Sequence, residues 1–247
     1  MTAIVIPARW GSSRFPGKPL VDLHGRPLIE WVWRAARRTG LPVYVATDDA
    51  RIAAHVRDIG GEVVMTGSAK NGTERCALAA RALKLTGPVI NWQGDSPLVP
   101  KAWISALLDA LDGPNLSVTT PVQRCEPDMA DRIRVDRLSG LTGATTAVLD
   151  SAWRALYFSK SPLPTWGPMW MHVGIYAYSA EALASYGTEE SLLEKAEKLE
   201  QLRFLERGIP ITAVPVDGLP IWEVNNPADV PIVKRMMLER ASGALWA

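Results

Sequence analysis

The chain has 247 residues, 47% apolar and 21% charged, with two cysteines and a formal net charge of +1. That length and composition suit one large α/β domain, or a domain with a lobe, and can fill a sizeable core. The near-neutral charge argues against a nucleic-acid binder, and Cys76 and Cys125 lack the C-x-x-C spacing of a zinc or disulfide scaffold. No run approaches ~18 apolar residues, so neither a membrane span nor a signal peptide is expected, and a reducing cytoplasmic location fits.

In chain order, Ala3–Ile6 is an apolar run that reads as a buried strand, and Leu28 to Arg38 is amphipathic with helical spacing. Val43–Ala46 reads as a strand. Asp49 to Ile59 carries Ile52, Ala53, Val56 and Ile59 at helical spacing, stopped by Gly60-Gly61. Glu62–Met65 is a short strand, Thr73–Leu85 a helix, Val89–Trp92 a strand, and Lys101 to about Leu111 a helix opened by Pro100. Such alternation predicts a mostly parallel sheet wrapped on both faces, with ligands bound beyond the carboxyl ends of the strands.

The second half is less regular. Leu116–Pro121, Thr145–Leu149, Arg154–Ser159, His172–Tyr178 and Thr212–Val216 read as strands. Glu126–Gly143 is polar and reads as a loop or short helix, and Pro162–Met171 as a structured loop. Ser191–Arg207 reads as one strong helix, and Asn226-Pro227 as N-cap and N1 of the last one. The ten tryptophans read mostly as packing residues.

Chemistry gathers in the loop after the first strand, Ile6 to Leu20. It holds Arg9, Arg14 and Lys18, no acid, Gly11, Gly17, and the hydroxyls of Ser12 and Ser13. Free backbone N–H groups beside glycine form anion nests, and the cations add charge and hydrogen bonds, which suits a triphosphate. The loop is neither a Walker motif nor a dinucleotide fingerprint. A second landmark is Asn91 to Pro100, where Asp95 follows a buried strand on a Gly94-bearing turn, a natural magnesium ligand. Thr47-Asp48-Asp49 and Gly72-Thr73-Glu74-Arg75 also stand at element ends, where helix caps and ligand sites both occur.

These segments closely resemble the signatures of the 3-deoxy-manno-octulosonate (Kdo) cytidylyltransferases. The first loop is similar to I-P-A-R-Y-x-S-x-R-L-P-G-K-P-L, with Trp10 for Tyr and Phe15 for Leu. Asn91–Pro97 is similar to N-x-Q-G-D-E-P, with Ser96 for Glu, and Asn71–Arg75 to S-G-T-E-R. Tyr157–Lys160, Met171–Tyr178 and Leu199–Arg203 are similar to Y-F-S-R, R-H-L-G-I-Y-x-Y and L-E-Q-L-R. Glu223–Val230 is similar to G-V-D-T-P-E-D-L, with Asn225 at the position of the Asp.

The resemblance implies a Rossmann-like, GT-A-like nucleotidyltransferase fold: α/β, with a mostly parallel mixed sheet flanked by helices and a sugar-binding and dimerisation lobe. The nucleotide-binding part would be about 1–115 and 210–247, the lobe about 116–209, within one domain. It implies CMP transfer from CTP to a 3-deoxy-2-ulosonic acid, with Mg²⁺ as cofactor, a homodimer, and neither nucleic-acid binding nor membrane insertion. Lys18, Asp95 and Arg9 would be catalytic. Ala8, Arg9, Gly11, Ser12, Arg14, Lys18, Thr47, Asp48, Asn71, Gly72, Arg75, Gln93 and Gly94 would bind the nucleotide. Gln93, Lys160, His172, Tyr176, Glu200 and Gln201 would bind the sugar acid. Asp95 and Asn225 would hold the metal, Asn225 without a negative charge. Departures concentrate on the sugar and metal side. They leave open a different keto-sugar acid, such as an amino-modified Kdo, or a nucleotide-binding homologue with weak or lost turnover because of Asn225.

Overall fold

The computed structural model describes residues 1–11, 15–111, 115–138, 144–218 and 221–242. Its first half follows the expected alternation. β1 (Ala3–Ala8) is buried throughout, and a small hairpin of β2 (Asp22–Leu23) and β3 (Arg26–Pro27) leads into α1 (Leu28–Arg37). The inward face of α1 is Leu28, Ile29, Val32, Trp33, Ala35 and Ala36. β4 (Val43–Thr47) precedes α2 (Ala50–Asp58), whose N-terminus is capped by the Asp49 carboxylate accepting from the N–H groups of Arg51 and Ile52. β5 (Glu62–Met65) precedes α3 (Gly72–Ala82), capped by the Asn71 side chain accepting from the N–H of Glu74. β6 (Val89–Trp92) and α4 (Lys101–Asp109) follow.

Beyond them come β7 (Val118–Arg124), α5 (Pro127–Leu138), β8 (Thr145–Leu149), β9 (Ala155–Ser159), β10 (Trp170–His172) and β11 (Ile175–Tyr178). The chain continues with α6 (Ala180–Ala184), α7 (Leu192–Glu197), α8 (Leu202–Glu206), β12 (Ile211–Pro215) and α9 (Asp229–Ser242). The fold is thus the expected α/β type, with strands of a mixed sheet flanked by helices. Among the described residues no helix is long and apolar enough to cross a membrane.

The chain forms two compact units. Unit 1 comprises Met1–Thr86, Asn91–Ala102 and Pro220–Ala247. Its strands run β5-β4-β1-β6, with β1, β4 and β5 parallel. The ends of β1 and β4 are level, since Ala8 pairs with Thr47. The loops that follow them therefore leave the same edge. Unit 2 comprises Gly87–Ile90 and Trp103–Leu219. There β7 is central, paired in parallel with β12 and antiparallel with β10 and β11, while β10, β8 and β9 continue antiparallel.

Three expectations are corrected, and the open reading after Glu126, loop or short helix, is resolved as helix. The helix expected over 191–207 is two short ones, because Lys198 takes a left-handed conformation (φ 58°) at the end of α7. The break lets Arg203 reach Glu194 with two hydrogen bonds of 2.7 and 2.8 Å. In an unbroken helix these residues, nine apart, would stand ~13 Å apart on opposite faces. The strand expected over 172–178 is split at Val173-Gly174, where the Thr120 hydroxyl sits 3.2 Å from the Val173 carbonyl and 2.8 Å from that of Ile175. The polar stretch after Glu126 is a helix of 12 residues, α5, which buries Ala130 and Ile133 against Met169. The last helix starts at Asp229, and Asn226 instead closes the preceding turn by accepting from the N–H of Ala228 at 2.9 Å.

Candidate active site

Unit 1 brings together most residues that the sequence assigns to nucleotide and metal. Lys18 opens a short 3₁₀ turn, Lys18–Leu20, and its Nζ lies 2.6 Å from Asp95 Oδ2. Asp95 stands on the turn after β6, and three tethers hold that turn. The Ser96 N–H donates to the Gln93 carbonyl at 3.1 Å, and the buried Trp92 indole N–H donates to the Ser96 carbonyl at 3.0 Å. The Val224 N–H donates to the Asp95 carbonyl at 3.0 Å. Close packing demands glycine at 94, and at 72 glycine lets the Gln93 side chain lie close. A Cβ on Gly94 would stand 2.7 Å from the Pro7 carbonyl oxygen, and one on Gly72 would stand 2.7 Å from Gln93 Nε2. Gln93 is thereby laid against the start of α3, beside the Asn71 cap.

The first loop is braced from outside. The Trp10 carbonyl accepts from the Gly17 N–H at 3.1 Å, and its ring lies under the Arg51 guanidinium at 3.3 Å. Arg51 is held in turn by Asp49 at 2.6 and 3.0 Å, a pairing that lowers the Asp49 pKa from its ordinary value. Arg9 and Gly11 are exposed, and Ala8 is buried at the strand end. Ser12 and Arg14 lie outside the described residues.

Thr47 is buried, its hydroxyl accepting from the Asp49 N–H at 3.2 Å. Arg75 is 2% exposed and donates to Asp48 (2.8 Å), the Thr66 hydroxyl (2.6 Å) and, more weakly, the Gly67 carbonyl (3.4 Å). It therefore holds Asp48 and the 66–67 loop in place.

One residue of this cluster was missed. Glu223, just before Val224, sets its Oε1 3.3 Å from Ser96 Oγ, which is itself 3.5 Å from Asp95 Oδ1. The Asn225 amide lies 3.5 Å from the other carboxylate oxygen. Burial and the neighbouring Asp95 carboxylate raise the Glu223 pKa, against the opposing pull of Lys18, Asn225 and Ser96. Asp229, four residues after Asn225, accepts from the Trp222 indole at 2.9 Å and from the N–H groups of Asn225 and Asn226 at 2.8 Å each. It is 7% exposed and committed to that turn. The donor set fits magnesium, which takes one or two carboxylates together with phosphate oxygens and water.

Unit 2 holds the residues assigned to the sugar acid other than Gln93. His172 stands in an aromatic row with Phe158 (4.9 Å between centroids) and Tyr176 (5.5 Å). The row continues through Tyr178, Phe204 and Tyr186. His172 Nε2 is 3.0 Å from the Thr120 hydroxyl, and burial lowers its pKa to about 3, so the ring is neutral. Gln201 is 3% exposed, and its Nε2 has no hydrogen-bond partner among the described residues. The backbone N–H of Lys160 donates to Glu197 at 3.1 Å, as does the Ser159 hydroxyl at 2.9 Å. The Glu200 carbonyl accepts from the Tyr186 hydroxyl at 3.2 Å. Arg203, three residues on, is fully buried and pairs with Glu194 at 2.7 Å.

A parallel α/β unit with a cation-bearing loop after its first strand, and a carboxylate on the turn after β6, suits a nucleotide-binding protein, and the fold is that of nucleotidyltransferases. A putative glucose-1-phosphate thymidylyltransferase structure from Bacillus anthracis shares this fold, with a TM-score of 0.65 over 96% of this chain and 95% of its own at 13% identity. The particular family follows from closer matches: residues 3–211 match the cytidylyltransferase family model, and the chain belongs to that family. It is 43% identical over 239 residues to the 3-deoxy-manno-octulosonate cytidylyltransferase of Maricaulis maris (strain MCS10), covering 91% of this chain and 92% of that one. It is also similar to the structure of a CMP:2-keto-3-deoxy-manno-octonic acid synthetase complexed with CTP, with a TM-score of 0.86 at 36% identity over 97% of this chain and 99% of that one.

Proposed function

We propose that this cytidylyltransferase moves CMP from CTP to the anomeric hydroxyl of 3-deoxy-manno-octulosonate, or a close 3-deoxy-2-ulosonic acid, and releases pyrophosphate. The near full-length likeness to a synthetase complexed with CTP carries this reading. The hydroxyl oxygen bonds to the α-phosphorus, the bond from that phosphorus to the β-phosphate oxygen breaks in line, and the hydroxyl proton passes to solvent. Arg9 and Lys18 donate to the triphosphate and offset the charge gathering on the departing pyrophosphate. Gln93, fixed against Gly72, and the Asn71–Arg75 segment shape the nucleoside pocket. Asp95 would hold magnesium, which when bound would supply Lewis-acid chemistry to the transfer.

The Gln201 amide nitrogen in unit 2, unpartnered among the described residues, supports a polyhydroxylated acceptor, since a buried donor gains most from a ligand that satisfies it. Neutral His172 acts there as a hydrogen-bonding and stacking wall. The same reading carries a cytoplasmic homodimer. Leu156 (60% exposed) and Trp166 (87%) in unit 2 favour pairing, which sedimentation tests.

Pyrophosphate release with CTP, Mg²⁺ and a panel of sugar acids tests the activity. Kdo or a close analogue should be preferred, and Asp95→Ala should lower turnover by about a hundredfold or more while the fold persists. Normal turnover in that variant, or silence with every acid in the panel, would overturn the reading.

A further inference from the structure

The magnesium reading names Asp95, and the resemblance points to Asn225 as its companion. The geometry points elsewhere. We infer that Glu223 is the second metal-binding carboxylate of this site and that Asn225 serves to orient it.

Three observations carry this. First, the Val224 N–H donates to the Asp95 carbonyl at 3.0 Å, so the backbone of 223–225 is lashed directly to the turn that bears Asp95. In extended backbone the side chains of 223 and 225 leave on the same side. Second, Ser96 Oγ lies within 3.3 Å of Glu223 Oε1 and 3.5 Å of Asp95 Oδ1. Those two carboxylate oxygens are therefore less than about 7 Å apart by simple geometry, with Lys18 Nζ beside Asp95 as the protein's own cation. Two carboxylates flanking one hydroxyl repel each other unless a cation stands with them. Third, the Asn225 amide nitrogen is turned toward Glu223 Oε2 at 3.5 Å, and its backbone N–H is held by Asp229. An amide that donates to a carboxylate fixes that carboxylate, and it brings no charge of its own to an ion. The hard magnesium ion prefers an anionic oxygen to an amide oxygen.

This inference rests on the reading of Asp95 as a metal ligand, and the test separates the two. Mn²⁺ is titrated into the CTP-bound chain and followed by electron paramagnetic resonance, with CTP affinity measured without metal as a check on the pocket. Glu223→Gln should weaken Mn²⁺ binding tenfold or more, Asn225→Ala less than threefold, and Asp95→Asn at least tenfold. Glu223→Asp keeps the charge on a shorter arm and should fall between wild type and Glu223→Gln. It also carries the test if the amide variant misfolds. If the Glu223 variants bind Mn²⁺ within threefold of wild type while Asp95→Asn loses it, Glu223 is not a ligand and the reading of Asp95 stands. If Asp95→Asn also binds normally, the metal reading itself fails.

Discussion

The two units handle polar residues in opposite ways. In unit 1 the charged groups stand on loops that leave parallel strands, and several stay open to a ligand: Arg9 is exposed, and the Lys18 and Asp95 side chains are 16% and 20% exposed. In unit 2 the strongest polar pair is sealed, with Arg203 and Glu194 side chains 0% and 7% exposed, and His172 lies in a row of aromatic rings. A phosphate-binding site needs cations whose hydrogen bonds can be exchanged for those of a ligand. Groups packed into a core cannot move, so their polar atoms are mostly spent on one another, and among the described residues of unit 2 Gln123 Oε1 and Gln201 Nε2 are buried without a hydrogen-bond partner. Replacing residues in the first unit should therefore change rate before stability, and in the second stability before rate.

The largest effect that would sharpen this contrast is expected from Lys18→Ala. The proposed function sets Lys18 against developing charge, so its removal should cost about a hundred- to a thousandfold in kcat/KM. The melting temperature should hold within a few degrees, because the Lys18–Asp95 pair is partly open to water. Pyrophosphate assays beside thermal melts check this, and a collapse of stability would break the contrast.

Next comes Arg203→Leu. It strands the Glu194 carboxylate in the core and should cost about 3–5 kcal/mol in urea unfolding. Adding Glu194→Leu should recover much of the loss. Arg134→Ala, which opens the exposed Arg134–Asp131 pair, should cost less than about 1 kcal/mol.

The last effect is a pH slope. The His172 pKa falls from an ordinary 6.5 to about 3 on burial, so the unfolded chain binds the proton more readily. Stability from the neutral ring is fully present above pH 6.5 and drains away as pH falls toward 3. The slope approaches about 1.4 kcal/mol per pH unit below pH 6.5. His172→Asn should flatten that part of the stability curve between pH 6.5 and 5. An unchanged slope would show that the ring is protonated in the folded state.

Much of unit 1 was legible because local signals agreed there. Periodicity, the Asp49 cap and the Gly60-Gly61 stop mark α2 to within a residue or so at each end. The strand-end positions of Asp48 and Asp95 follow from simple alternation. Unit 2 was legible only in part. The apolar spacing of 191–207 continues through Lys198, so nothing local marks the break that the Glu194–Arg203 pair requires. The split at Val173-Gly174 is held by Thr120, more than 50 residues earlier. Glu223 escaped notice for the same reason: its meaning depends on Ser96, 127 positions away.

The sequence by itself therefore determined the α/β class and the order of its strands and helices through the first half, and it placed Lys18 and Asp95 on loops that leave strand ends. These depend on periods of two and 3.6 residues and on short motifs, which are properties of neighbours along the chain. Only the tertiary structure decided which carboxylate stands with Asp95, that Asp229 serves a turn, and that Arg203 is buried. Those depend on pairing in space between distant segments, where burial and charge set which partner each polar group takes.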